Sequence, residues 1–167
     1  MNDMIRPGDL FFTTSSSIIS KAIRARTWGK FSHVQIITRP ISEPHGKVEV
    51  VTADAEGVVC RDVRPHEWEN YEIMTCPEMT KEQRENVVKF SLQQVGRAYD
   101  FVGLASFLLY KEMQNDARWF CSELVYVAYK QAGIRLQRRV KQDFVSPRDL
   151  YMSPLLKPID KEVNHGT

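Results

Sequence analysis

Three cysteines and four histidines are the residues of this chain best suited to nucleophilic chemistry, and they are not equally placed. Cys121 lies in WFCSELVYVAY, directly after a loop and at the first turn of a helical pattern formed by Leu124, Val125, Val127 and Ala128. The first N–H groups of a helix lack partners within it, and the dipole there favours an anion. A thiol at that position is expected to titrate below a free one and to become a nucleophile once an imidazole is near. Cys60 and Cys76 fall in predicted strands with no helix end beside them, and read as packing residues.

The matching base is His33. In KFSHVQIIT it opens an apolar strand, where the backbone can hold an imidazole rigidly at the edge of a cleft. His45 lies in a Pro/Gly loop, His66 beside Pro65 and His165 near the end of the chain, all places for solvated side chains. No Cys or His pair has metal-ligand spacing, so no metal or other cofactor is expected.

The elements that must position this pair follow from pattern and punctuation. Pro7 and Gly8 mark a turn that feeds a short strand through Phe11 and Phe12. Ile18, Ile19, Ala22 and Ile23 predict a helix to about Arg26. Strands are expected at 33–38, 47–53 and 57–63, the first two separated by the PISEPHG loop, and a further one at 71–76. Thr80 with Gln83 forms a capping-box signature for a helix to Gln94. A second apolar helix is expected at 101–112, a loop at 115–120, the Cys121 helix to Ala132 and a short turn from Ser146 to Leu150. Strands in the middle with helices towards both ends indicate an α+β domain. One domain over 1–167 is expected, with its core at about 6–150 and a frayed tail after about 158.

Composition narrows the function classes. A net charge of +2 argues against a nucleic-acid partner. The longest apolar run, 101–110, reaches about 15 Å as a helix, half the hydrocarbon core, so no membrane span is expected. The first residues lack the apolar stretch of a signal peptide, and an odd number of cysteines without framework spacing suits a reducing compartment. The expected location is the cytoplasm. Oligomeric state is not specified by the sequence.

Five features occur in order: RPGDLFF; KFSHVQI; ADAEGVV followed by Trp68; VGRAYDF; and FCSELVYVAY followed by SPRDL. Together they resemble the circularly permuted branch of the NlpC-type papain-like superfamily, the YiiX-like proteins, over about Arg6 to Leu150. The resemblance implies a central antiparallel sheet packed by helices, with the histidine strand ahead of the nucleophile helix instead of behind it. It implies Cys121 as nucleophile, His33 as base, and a third residue on the next strand that orients the imidazole.

At that third position this sequence has Thr52, in VVTADA, where relatives often carry a glutamate. A threonine hydroxyl can accept from the imidazole but brings no charge. Asp54 shares its strand parity and competes for the role, or for a place in substrate binding. Tyr99, in the YDF element, is implied to lie near the cleft and to contact substrate or oxyanion. The backbone N–H of Cys121 is the expected oxyanion donor. Ser122 and Glu123 read as structural residues of the first helical turn.

The reading that follows is an amide hydrolase, a cysteine peptidase or amidase acting through an acyl-enzyme on a peptide or cell-wall fragment. An acyltransferase or thioesterase on lipid-like acyl substrates would use the same pair of residues. A binding module that keeps the fold without the chemistry is the third reading, against which the intact Cys121 and His33 argue.

Overall fold

The sequence LFFT is a run of hydrophobic residues without alternation, and the structure shows why. In the computed structural model, which describes residues 5–14, 18–41, 46–99, 118–137 and 145–159, strand β1 (Leu10–Thr13) lies inside the sheet and is buried along its whole length. A strand covered on both faces has no reason to alternate. Leu10 and Phe12 face a core shared with the helices, whereas Phe11 faces a second core with Ile37, Val48, Val50 and Ile73.

Around β1 the chain builds β2 (His33–Ile41), β3 (Lys47–Asp54), β4 (Gly57–Val63), β5 (Tyr71–Thr75) and, further on, β8 (Lys157–Pro158). The described sheet runs β4-β3-β2-β1-β5-β8, with every pairing antiparallel. This is the α+β architecture that the residues imply, with the central antiparallel sheet that the resemblance implies. β2 extends past its expected end through Pro40, beyond a register shift between Ile37 and Arg39. There it has outrun β1 and ladders with β3 alone, so a proline that cannot donate is tolerated.

Helix α1 (Ile18–Thr27) precedes β2, and α2 (Lys81–Gln93) follows β5. The α2 capping box is complete: Thr80 Oγ1 accepts from the Gln83 N–H and the Gln83 side chain accepts from the Thr80 N–H. Helix α3 (Cys121–Gln131) is buried on nearly every side, consistent with its almost unbroken apolar sequence. It packs on α2 and on β2, and the Gln83 side chain donates to the Ala132 carbonyl at its far end. A short α4 (Pro147–Tyr151), capped by Ser146, closes one side. There Tyr151 stacks edge-on with Phe12 and Phe31 at 5.5 and 5.2 Å. That aromatic group fixes the chain immediately before His33.

A buried ionic network locks the N-terminal turn to this framework. Asp9 accepts from Arg84 at 2.7 Å and from Thr75 at 2.7 Å, and Arg84 also donates to the carbonyls of Pro7 and Cys76. Tyr129, on α3, donates to the Gly8 carbonyl at 2.6 Å. The turn at Pro7 and Gly8 is thus a junction between sheet, α2 and α3.

Two strands of two residues each, β6 (Ala98–Tyr99) and β7 (Arg118–Trp119), pair in parallel just ahead of Cys121. β7 lies where a loop was expected. The segment before β6 is stitched to β4, the Val58 N–H donating to Arg97 and the Gly96 N–H to Val58. Gly57 makes this approach possible: at φ 103° a Cβ there would stand 2.5 Å from the Arg97 carbonyl oxygen. The expected helix at 101–112 lies outside the described residues. Among those described, no helix is long and apolar enough to cross a membrane.

Candidate active site

Cys121 opens α3, as its position after the loop suggests, and its N-cap Phe120 offers no side-chain oxygen to the first helical N–H groups. The thiol takes that role instead. Backbone N–H groups of Val34, Ser122 and Cys121 itself bear on the sulfur and favour its ionised form. Burial opposes them. At 1% exposure the thiol is almost wholly desolvated, its pKa is pushed up to about 12, and the Asp54 carboxylate adds to the rise. The expectation of a thiol titrating below a free one is therefore overturned, because desolvation outweighs the three amides and the helix end.

The contact with Val34 places the sulfur. The β2–β3 pairing ends at Ile36↔Val51, so the first residues of β2 and the last of β3 run on past the ladder. A strand's N–H lies in the plane of its sheet. A sulfur served by Val34 therefore sits level with the sheet at this open end, one residue along the chain from His33.

His33 and Thr52 meet across the same opening. The imidazole Nε2 and Thr52 Oγ1 are 2.7 Å apart, and Thr52 is 2% exposed. Nδ1 is the ring nitrogen this bond leaves over. Burial lowers the His33 pKa to about 4; Asp54 opposes the shift and Arg61 reinforces it. At neutral pH the resting groups are accordingly a thiol and a neutral imidazole.

Asp54, the competing orienter, is engaged elsewhere. One carboxylate oxygen accepts from Arg61 and the other from the Glu56 N–H in the β3–β4 turn. Its charge reaches both His33 and Cys121, but the hydroxyl of Thr52 is the group bonded to the ring. Tyr99 stands in β6, in register with Trp119 two residues before Cys121, so its backbone pairs with the segment that leads into α3. Ser122 Oγ donates to the Val145 carbonyl at 2.6 Å and ties α3 to the segment entering α4. Cys60 is exposed on β4 and Cys76 is buried, and burial raises both thiols.

The sequence reading passed over two buried polar residues beside this group. Thr13 pairs with His33 across β1 and β2, and its hydroxyl is buried without a hydrogen-bond partner among the described residues. Gln35, 3% exposed, shares strand parity with His33. Alternation along HVQI was the signal that could have found Gln35.

Comparison with known proteins adds independent findings. The model of a family described as "Permuted papain-like amidase enzyme, YaeF/YiiX, C92 family" matches residues 4–154. A curated relative, "Probable lipoprotein peptidase YaeF" of Escherichia coli (strain K12), is 23% identical over 177 residues, covering 87% of this chain. The chain spans 62% of that relative's length. A crystal structure titled as metalloprotein yiiX from Escherichia coli O157:H7 aligns with a TM-score of 0.69 at 22% identity, covering 94% of this chain and 97% of that one. Among the described residues here, no group of three or more His, Cys, Asp or Glu side chains is gathered to hold a metal ion.

Proposed function

The chain belongs to the permuted papain-like amidase family, and from that we propose that it hydrolyses amide bonds with Cys121 as nucleophile, His33 as general base and Thr52 as the imidazole's orienter. The observation that carries this reading is the shared opening at the end of β2 and β3. There the Val34 N–H serves the Cys121 sulfur while its neighbour His33 is held by Thr52.

Because both groups rest neutral, the proton moves as the bond forms. Nδ1 of His33 takes the thiol proton while the sulfur attacks the carbonyl carbon. The backbone N–H of Cys121 stabilises the oxyanion. The imidazolium then gives its proton to the departing amine, leaving a thioester on Cys121. Water, deprotonated by the same imidazole, releases the acid and restores the thiol.

A peptide or cell-wall-type amide is the proposed substrate class, supported by a relative named as a probable peptidase. A reducing compartment such as the cytoplasm suits the three free thiols. The test is a panel of peptide amides and acyl thioesters assayed with the wild type and Cys121→Ser. Turnover of amides that vanishes in Cys121→Ser supports the reading. Thioester turnover with no amide turnover moves it to acyl transfer, and activity that survives Cys121→Ser refutes it.

A further inference from the structure

For Nδ1 of His33 to act as the base proposed above, Nε2 must carry the ring hydrogen and donate it to Thr52 Oγ1. That donation has a consequence for Thr52. Once its oxygen accepts from the ring, its own O–H needs an acceptor, in a place where Thr52 is 2% exposed and solvent is scarce. Thr52 makes no second side-chain hydrogen bond among the described residues. Were the O–H to turn instead towards Nε2, the ring hydrogen would move to Nδ1 and the base would be lost.

Gln35 stands where that acceptor is needed. The last paired residues of β2 and β3 are Ile36 and Val51, and continuing that register by one step sets Gln35 opposite Thr52. Alternation puts both on the face that also carries His33, and the observed His33–Thr52 bond fits this parity. Residues opposed on paired strands have Cβ atoms about 5 Å apart, and one step past the last pair the longer glutamine side chain can reach a threonine hydroxyl after a rotation. Gln35 is 3% exposed, and its amide has no hydrogen-bond partner among the described residues. A largely buried amide beside a hydroxyl that lacks an acceptor offers it a carbonyl oxygen within the same part of the sheet.

We infer that Gln35 is a positioning residue: its carbonyl oxygen accepts the Thr52 O–H, Thr52 accepts from Nε2–H, and the chain of bonds fixes His33 in the tautomer whose Nδ1 faces the thiol. This rests on the hydrolase reading for its purpose, but not for its test.

The tautomer of His33 is measurable directly by ¹⁵N-histidine NMR at neutral pH, without any substrate. The wild type is expected in the Nε2–H form, with the Thr52 hydroxyl proton showing an NOE to the Gln35 amide. Gln35→Met removes the acceptor and is expected to shift the tautomer ratio towards Nδ1–H by roughly tenfold, the scale of one hydrogen bond. Gln35→Glu keeps an acceptor and is expected to hold the wild-type tautomer. Thr13→Val deletes the buried hydroxyl on the other side of His33 and is expected to change nothing. An Nδ1–H tautomer in the wild type, or an unchanged ratio in Gln35→Met, overturns the relay. Should Gln35→Met not fold, the wild-type tautomer and the NOE decide alone, and absence of either overturns it. If the tautomer responds as stated while Cys121→Ser still cleaves amides, the relay stands and the hydrolase reading falls.

Discussion

The backbone amide of Val34 serves the sulfur of Cys121, and so joins α3 to the strand that begins with His33. This contact ties the two elements together where the β2–β3 ladder has already ended. It also means that small shifts of α3 along its axis alter the environment of the thiol.

The first prediction concerns thiol reactivity. With Cys121 buried and its pKa pushed up to about 12, iodoacetamide at pH 7 is expected to label exposed Cys60 first. Labelling of Cys121 should keep climbing as pH rises above the ordinary thiol value of 9.0. Mass mapping that finds Cys121 labelled fastest, with a plateau below pH 8, would refute a neutral resting pair.

Stability should carry the signature of the partly buried imidazole. The folded pKa of His33, about 4, lies below its ordinary value of 6.5, so the folded state resists protonation. The associated stability is complete above about pH 6.5 and is lost as pH falls towards 4, by at most about 3 kcal/mol. Melting curves across that window should show the loss in wild type and a reduced loss in His33→Gln.

Removing members of the proposed triad should not be additive. His33→Ala and Cys121→Ala are each expected to lower amide hydrolysis by more than about a thousandfold, with the double variant little worse. Thr52→Val should cost roughly ten- to a hundredfold in kcat with KM nearly unchanged, whereas Thr52→Ser retains most activity. Asp54→Asn serves as the control: its partly exposed pair with Arg61 is worth less than about 1 kcal/mol, and kcat should stay near wild type. A kcat for Asp54→Asn as low as that of His33→Ala would make Asp54 the orienter.

Gly57→Ala should damage the site from a distance. Its added Cβ would meet the Arg97 carbonyl at 2.5 Å on a backbone at φ 103°, displacing the segment that leads into β6. The expected cost is about 2 kcal/mol or more in urea unfolding, with activity reduced beyond what stability alone explains. Wild-type stability and turnover in this variant would show that the β4–Arg97 contact does not support α3.

Local signals were legible in the sequence. Thr80 and Gln83 announced α2 because a capping box is written in neighbouring residues, and Gly57 to Val63 matches β4 because its bounds are punctuated by glycine and proline. The α3 boundary at Cys121 followed from its apolar pattern. β6 and β7 were not legible, since two-residue strands owe their existence to each other and to Val58, not to propensity. The Asp9–Arg84 pair was equally hidden, because nothing local marks two charges that meet 75 positions apart. The sign of the Cys121 shift was misread for the same reason. The helix end is written in the sequence, but the depth at which the fold buries it is not.

The bond from Tyr129 to Gly8 spans 121 positions and has a consequence for the order of assembly. The strand bearing His33 leaves the ribosome early and the helix bearing Cys121 late, so the proposed base waits for the proposed nucleophile throughout synthesis. Contacts of such sequence separation form slowly, after the loops between them have closed. A nascent or half-folded chain therefore holds an imidazole and a thiol that have not met. The end of the sheet where both groups lie is complete only once α3 has docked on β2.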